Sequence, residues 1–155
     1  MRTLLISAVL WLFAAGPAIA ATTLLTVVKM DGTVLEITDE DLKSLPAATL
    51  RTPLVGHPDD IAGNEKVHEA TGPLMRDVLK RFSIEGTLAD AIALDAYRIE
   101  IPVEDTHKYD DILATSVDGK KLGIRDRGPV WVVYPTGDHP ELKSPIFEAR
   151  SIWQL

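Results

Sequence analysis

Two clusters of side chains in this chain have the chemistry to hold a flat, polar heterocycle. Arg125, Asp126 and Arg127 precede a Gly128-Pro129 turn and Trp131, and Arg150 and Ser151 precede Trp153. Arg51 and Thr52 close one β-forming run before Pro53, and Asp95 and Tyr97 belong to another. Aromatic rings stack on the face of a heterocycle, a guanidinium donates to its carbonyl, and a carboxylate accepts from an amino-amide edge. The same composition supports a blander arrangement, with both tryptophans in the core and the arginines paired to nearby carboxylates.

Other chemistry finds less support. There is no cysteine, which removes disulfides, thiolate nucleophiles and thiolate-held metals. His57, His68, His107 and His139 show none of the H-x-H, H-x-x-x-H or H-E-x-x-H spacings, so each reads as a loop or surface residue and no metal ligand is assigned. A G-x-S-x-G elbow and a G-x-x-x-x-G-K loop are both missing, and no catalytic residue is assigned. The pairs Asp59-Asp60, Glu104-Asp105 and Asp110-Asp111 are adjacent, so their side chains diverge and read as solvated faces. A formal charge of −7 disfavours nucleic acid and anionic lipid as partners.

The N-terminal segment has the pattern of an export signal. Arg2 precedes an apolar run from Leu4 to Ala15, shorter than the roughly 20 residues of a spanning helix. Gly16-Pro17 interrupts it, and Ala18-Ile19-Ala20 places small residues at −3 and −1 of a cleavage site. Residues 1–20 are thus expected to be a signal peptide, 21–155 a single domain, and the location periplasmic. Mass spectrometry of exported material should find Ala21 as the first residue; an intact residue 1 would overturn the assignment.

The elements that must position these residues are short. Leu24–Met30 and Thr33–Ile37 read as strands joined by an Asp31-Gly32 turn. Thr38 and Asp41 form a capping-box pattern for a brief helix ending before Pro46. Ala47–Thr52 reads as a strand, and Leu54 to Thr71 as a long polar loop of the kind that is usually functional or mobile. Gly72-Pro73 predicts a helix start, with Leu74, Met75, Val78, Leu79 and Phe82 on its core face. Further strands are expected at Ala91–Ile101, Ile112–Val117, Lys121–Ile124, Val130–Tyr134 and Ile146–Leu155, with a helical turn between Pro102 and Asp111. The expected fold is α+β: a mixed, mostly antiparallel β domain with two or three short helices.

Several segments together resemble the molybdopterin-binding domain of the sulfite oxidase family. They are Asp95-Ala96-Tyr97, Ile101-Pro102-Val103-Glu104-Asp105, Ile112-Leu113-Ala114, Asp118-Gly119-Lys120-Lys121-Leu122, Arg127-Gly128-Pro129, Val133-Tyr134-Pro135 and Ser151-Ile152-Trp153. Gly72-Pro73-Leu74-Met75-Arg76-Asp77-Val78-Leu79 resembles that family's G-x-x-L-x-D-L-L helix start. The family's enzymes bind molybdenum through a cysteine just after the strand ending here in Arg51-Thr52-Pro53, and this chain has none. Trp131 and Ile152 stand where those enzymes tend to carry cations.

The pattern is similar to small exported members of the fold that bind a pterin without molybdenum. The resemblance implies a non-catalytic ligand sensor partnered with the periplasmic domain of an inner-membrane receptor that makes or degrades cyclic di-GMP. It implies a ligand site among Arg51, Thr52, Asp95, Tyr97, Arg125, Asp126, Arg127, Trp131, Arg150, Ser151 and Trp153. Two other expectations stand beside it. One is a molybdenum-cofactor oxidoreductase, or accessory subunit, lacking the usual Cys ligand. The other is a binding module for a different small molecule or for protein alone.

Overall fold

In the computed structural model, which describes residues 21–61 and 63–155, strands β1 (Thr23–Val28) and β2 (Val34–Thr38) form an antiparallel hairpin. At its turn the Asp31 carboxylate accepts from the Thr33 amide at 2.9 Å, as an Asp-Gly turn implies. Thr38 caps α1 (Asp39–Lys43) with the expected capping box: its hydroxyl accepts from the Asp41 amide, and the Asp41 carboxylate accepts from the Thr38 amide. Thr38→Ala is expected to lower stability by about 1 kcal/mol. Urea denaturation measures this, and an unchanged midpoint would mean that packing alone holds the turn. The expected signal peptide and its cleavage site lie outside the described residues.

Strands β3 (Ala47–Pro53) and β4 (Val67–Pro73) pair antiparallel in unbroken register, from Ala47 opposite Pro73 to Pro53 opposite Val67. This corrects two expectations. The loop spans residues 54–66 only, and Gly72-Pro73 ends a strand, so that α2 (Met75–Arg81) begins after Leu74. Tertiary contact is the reason. A Cβ on Gly72 would stand 2.0 Å from the Leu113 carbonyl oxygen, so only glycine lets β4 lie this close to β7 (Ile112–Ala114). The apolar face of α2 is as expected: Met75 and Val78 are buried, Leu79 and Phe82 pack on the same core, and Leu74 packs on a second one.

The expected strand over Ala91–Ile101 is instead a hairpin of β5 (Leu88–Ile92) and β6 (Arg98–Pro102). Asp95 makes the turn: its carboxylate accepts from the Tyr97 amide, and Ala96 takes positive φ. Helix α3 (Val103–Lys108) follows in the polar stretch where a helical turn is expected. The Ile112–Val117 strand divides at Thr115. β7 pairs with β10 (Trp131–Val133), whereas β8 (Ser116–Val117) joins β4 on one side and β9 (Lys120–Lys121) on the other.

The last expected strand is also corrected. Residues Pro145–Arg150 form helix α4, with Pro145 in its first turn, and only Trp153 bridges back to Trp131. Among the described residues the fold is therefore α+β with mostly antiparallel sheets and four short α-helices. None of these helices is long and apolar enough to cross a membrane.

Two apolar clusters fill the interior. One joins the β1–β2 and β5–β6 hairpins to α2, Val130, Val132 and Tyr134. The other gathers Leu54, Ala70, Ile112, Val117, Leu122, Trp131 and Val133 beneath the 54–66 loop. An apolar groove of about 520 Å³ opens between the two hairpins and α2, and no residue of the expected ligand site lines it.

Candidate functional site

The residues that converge most closely are Trp131, Trp153 and Arg127. Trp131 is only 1% exposed. Its indole N–H donates to the Ser151 carbonyl at 3.0 Å, and its ring meets Trp153 edge-on with centroids 6.0 Å apart. Trp153 is half-buried, and the Arg127 guanidinium lies over its face, 4.1 Å from the ring centroid. Gly56 sits against both, with a φ of +80° that disfavours any side chain there. Trp153 is therefore the partly exposed aromatic ring of the site, with Arg127 over its face, and Trp131 supports it from the core.

The C-terminal segment ties neighbouring pieces to this cluster. The Gln154 amide donates to the Arg127 carbonyl, and the Gln154 carbonyl accepts from the Leu94 amide at the β5–β6 turn. Asp95 and Tyr97 thus border the segment that carries Trp153, with the Tyr97 hydroxyl donating to the Ala149 carbonyl at 3.3 Å. Arg125 and Asp126 are exposed in a 3-10 turn one step before Arg127.

Other expected site residues are engaged elsewhere. Arg150 turns inward and donates to Asp105 at 2.9 Å. Arg51 is exposed, with Glu69 of the paired strand 3.6 Å away. Thr52 is fully buried, within hydrogen-bond distance of the Thr136 hydroxyl (2.6 Å) and accepting from the Gly137 amide. The Ser151 hydroxyl donates to the Phe147 carbonyl. The cleft after Thr52-Pro53, where the resemblance places a cysteine in the family's enzymes, is lined by Leu54, Trp131, Tyr134 and Ser151 among others. It holds about 20 Å³, room for about one water; small-molecule pockets typically run to roughly 300–1,000 Å³.

Beside the aromatic cluster lies a group that no spacing motif signals. His57, on the 54–66 loop, stacks on His68 of β4 with ring centroids 3.9 Å apart. His68 is buried, which corrects its reading as a loop or surface residue. Its Nδ1 lies 2.7 Å from Asp118 Oδ2 and its Nε2 lies 3.0 Å from Asp60 Oδ2. Ionised carboxylates only accept, so between two of them both ring nitrogens donate, which is the hydrogen-bonding pattern of an imidazolium. Burial disfavours that charge, but the bonds to Asp118 and Asp60 outweigh it and raise the imidazole above its ordinary value. His57 is pushed the other way, by burial and by the charge on His68.

The three adjacent acidic pairs are not solvated faces throughout. Asp60, Asp105 and Asp111 turn inward while Asp59, Glu104 and Asp110 stay exposed. Adjacent side chains diverge, so at each pair one carboxylate enters the protein and the other meets water. Asp105 accepts from the Tyr134 hydroxyl and from Arg150. Asp111 is fully buried with no hydrogen-bond partner on either oxygen among the described residues, and burial, with Asp105 nearby, pushes it up to about 7. A polar run such as His57-Pro58-Asp59-Asp60 inside a long loop was the one sequence signal pointing at the His57 cluster.

No protein-family model matches the chain, and no curated protein matches it.

Proposed function

We propose that this is an exported, non-catalytic pterin-binding protein that relays its ligand state to an inner-membrane receptor controlling cyclic di-GMP. The observation that carries the ligand part is the guanidinium of Arg127 stacked on the partly exposed ring of Trp153, backed by Trp131. A flat heterocycle can take or share that face, with Arg127 donating to a ring carbonyl. Asp126, adjacent to Arg127 in sequence and exposed, is the carboxylate assigned to accept from the amino-amide edge. The narrow cleft after Pro53 and the absence of a thiolate favour a ring bound at the rim over a molybdenum cofactor bound within. The receptor partnership and the periplasmic location rest on the sequence resemblance and on the signal-peptide pattern.

Calorimetric titration with a reduced pterin tests the reading. Wild type should bind one equivalent, and Trp153→Ala or Arg127→Ala should weaken binding by roughly tenfold, since one stacked aromatic is worth about 1–3 kcal/mol to a nucleobase-like ring. Saturable binding that neither variant alters would place the pterin elsewhere, and no binding at all would refute the assignment. Stoichiometric molybdenum in the purified protein would favour the oxidoreductase alternative instead.

The apolar groove between the two hairpins favours a second reading, a binding module for an apolar small molecule. Native mass spectrometry of the exported protein distinguishes the two: a retained apolar adduct in place of a pterin would select this one.

A further inference from the structure

We propose that His57, His68 and Asp118 form a binding site for a divalent transition-metal ion of the zinc class. It stands apart from the pterin reading, and neither depends on the other. One ligand atom from each of the three residues can be chosen so that all lie within 4.8 Å of one another. They come from a loop, a strand and a hairpin turn, so the fold alone assembles them. Two imidazoles and one carboxylate make a borderline nitrogen-oxygen set, which suits Zn²⁺ and its neighbours better than Mg²⁺ or Ca²⁺.

The surroundings resemble those of a built metal site. Asp118 is held by the Glu69 amide, which donates to its Oδ1 at 2.9 Å, leaving Oδ2 directed at His68 Nδ1. Asp60 Oδ2 sits on the opposite nitrogen of His68 and itself accepts from the Lys66 amide at 3.0 Å. That is the carboxylate–histidine–metal arrangement, in which an outer carboxylate fixes the ring and its tautomer. The Asp60 side chain is 2% exposed, and its Oδ1 is buried with no hydrogen-bond partner among the described residues. His57 Nδ1 accepts only a long bond, 3.3 Å, from the Asp59 amide; its ring is stacked on His68 and turns on binding to bring a nitrogen lone pair, which lies in the ring plane, onto the ion.

An ion would take the place of the proton between His68 Nδ1 and Asp118 Oδ2. Ligand atoms about 2.0–2.1 Å from a tetrahedral ion stand roughly 3.3 Å apart, so the present 2.7 Å separation opens by about half an ångström. On binding, the His68 Nδ1 proton is released to solvent while Nε2–H stays on Asp60. The ion then faces two carboxylates, Asp118 directly and Asp60 through the ring, and its charge is balanced. A water completes the coordination.

The test uses the exported protein without a histidine tag, stripped with a chelator and titrated with Zn²⁺ alone; Co²⁺ reports geometry by its visible absorption. The expected result is one Zn²⁺ per chain with proton release, and a tetrahedral-type Co²⁺ spectrum. Asp60→Asn should weaken Zn²⁺ binding by about 10–100-fold, and His57→Ala or Asp118→Asn by more. His57 is only partly buried, and asparagine keeps both the shape and the turn conformation at 118, so circular dichroism matching wild type separates ligand loss from misfolding. No saturable Zn²⁺ binding by the folded wild type would overturn the proposal, as would binding unchanged in folded His57→Ala and Asp118→Asn variants. Either result would make the cluster a proton-linked clamp of loop to strand and nothing more.

Discussion

Trp131→Ala should lower stability by about 3–5 kcal/mol, the range for emptying a buried tryptophan position. The ring is almost fully enclosed, contacts the Trp153 edge, and satisfies the Ser151 carbonyl with its indole N–H. Removal creates a cavity under the site and leaves that carbonyl unpaired. Trp131→Phe keeps most of the volume but not the donor, and should cost roughly 1–2 kcal/mol. Chemical denaturation of both variants gives these values. Trp153→Ala serves as the contrast: its ring is partly exposed, so it should lose pterin affinity with a smaller loss of stability. A Trp131→Ala protein as stable as wild type but unable to bind pterin would return the stacking role to Trp131.

Asp111→Asn should stabilise the protein at pH 8 and have little effect near pH 4. Asp111 has no hydrogen-bond partner for either oxygen, and burial raises its carboxyl from 3.8 to about 7. Asp105 and Asp110 oppose its ionisation, while the Arg76 guanidinium favours it. The native state therefore holds a proton that the unfolded chain releases near pH 4. Stability falls as pH rises between about 4 and about 7, by about 1.4 kcal/mol per pH unit where the two states differ by a full proton. The loss is complete above about 7 and reaches ~4 kcal/mol there. Asparagine has no charge to bury, and its unpaired amide stands in for a neutral carboxyl that is equally unpaired, so the two nearly cancel at pH 4. The net gain at pH 8 is thus about 4 kcal/mol, a rise in Tm of roughly 10 °C. Thermal melts at the two pH values check it; an equal shift at both would show that ionisation of Asp111 is not responsible.

How legible each element was depended on how local its cause is. The Asp31-Gly32 turn, the Thr38-Asp41 capping box and the apolar face of α2 all involve residues within a few positions of one another, and each formed as expected. The β5–β6 hairpin was missed because Ala91–Ile101 contains no Asn-Gly or Asp-Gly pair; its turn relies on the Asp95 carboxylate and on positive φ at Ala96, a non-glycine. Helix α4 was missed because Ile146, Phe147, Ile152 and Trp153 read as a β-forming run. Strand β4 was hidden for a different reason: its sequence is polar and ends in Gly-Pro, and only pairing with β3 along its whole length makes it a strand.

The site divides in the same way. The residue types at hand are plain from the amino-acid order: arginines beside tryptophans in the chain's last third, no cysteine, and a polar loop rich in His and Asp. Composition and short-range spacing carry that information directly. Which of these residues meet is set by the packed fold. It turned Arg150 inward onto Asp105 and sent Trp131 into the core, and it stacked Arg127 on the partly exposed ring of Trp153. It also brought Asp118 to His68, 50 positions earlier in the chain, with His57 of the preceding loop beside them. Contacts of that kind form when strand register and loop closure fix distances between distant residues, and neither quantity is encoded in the spacing of the residues themselves.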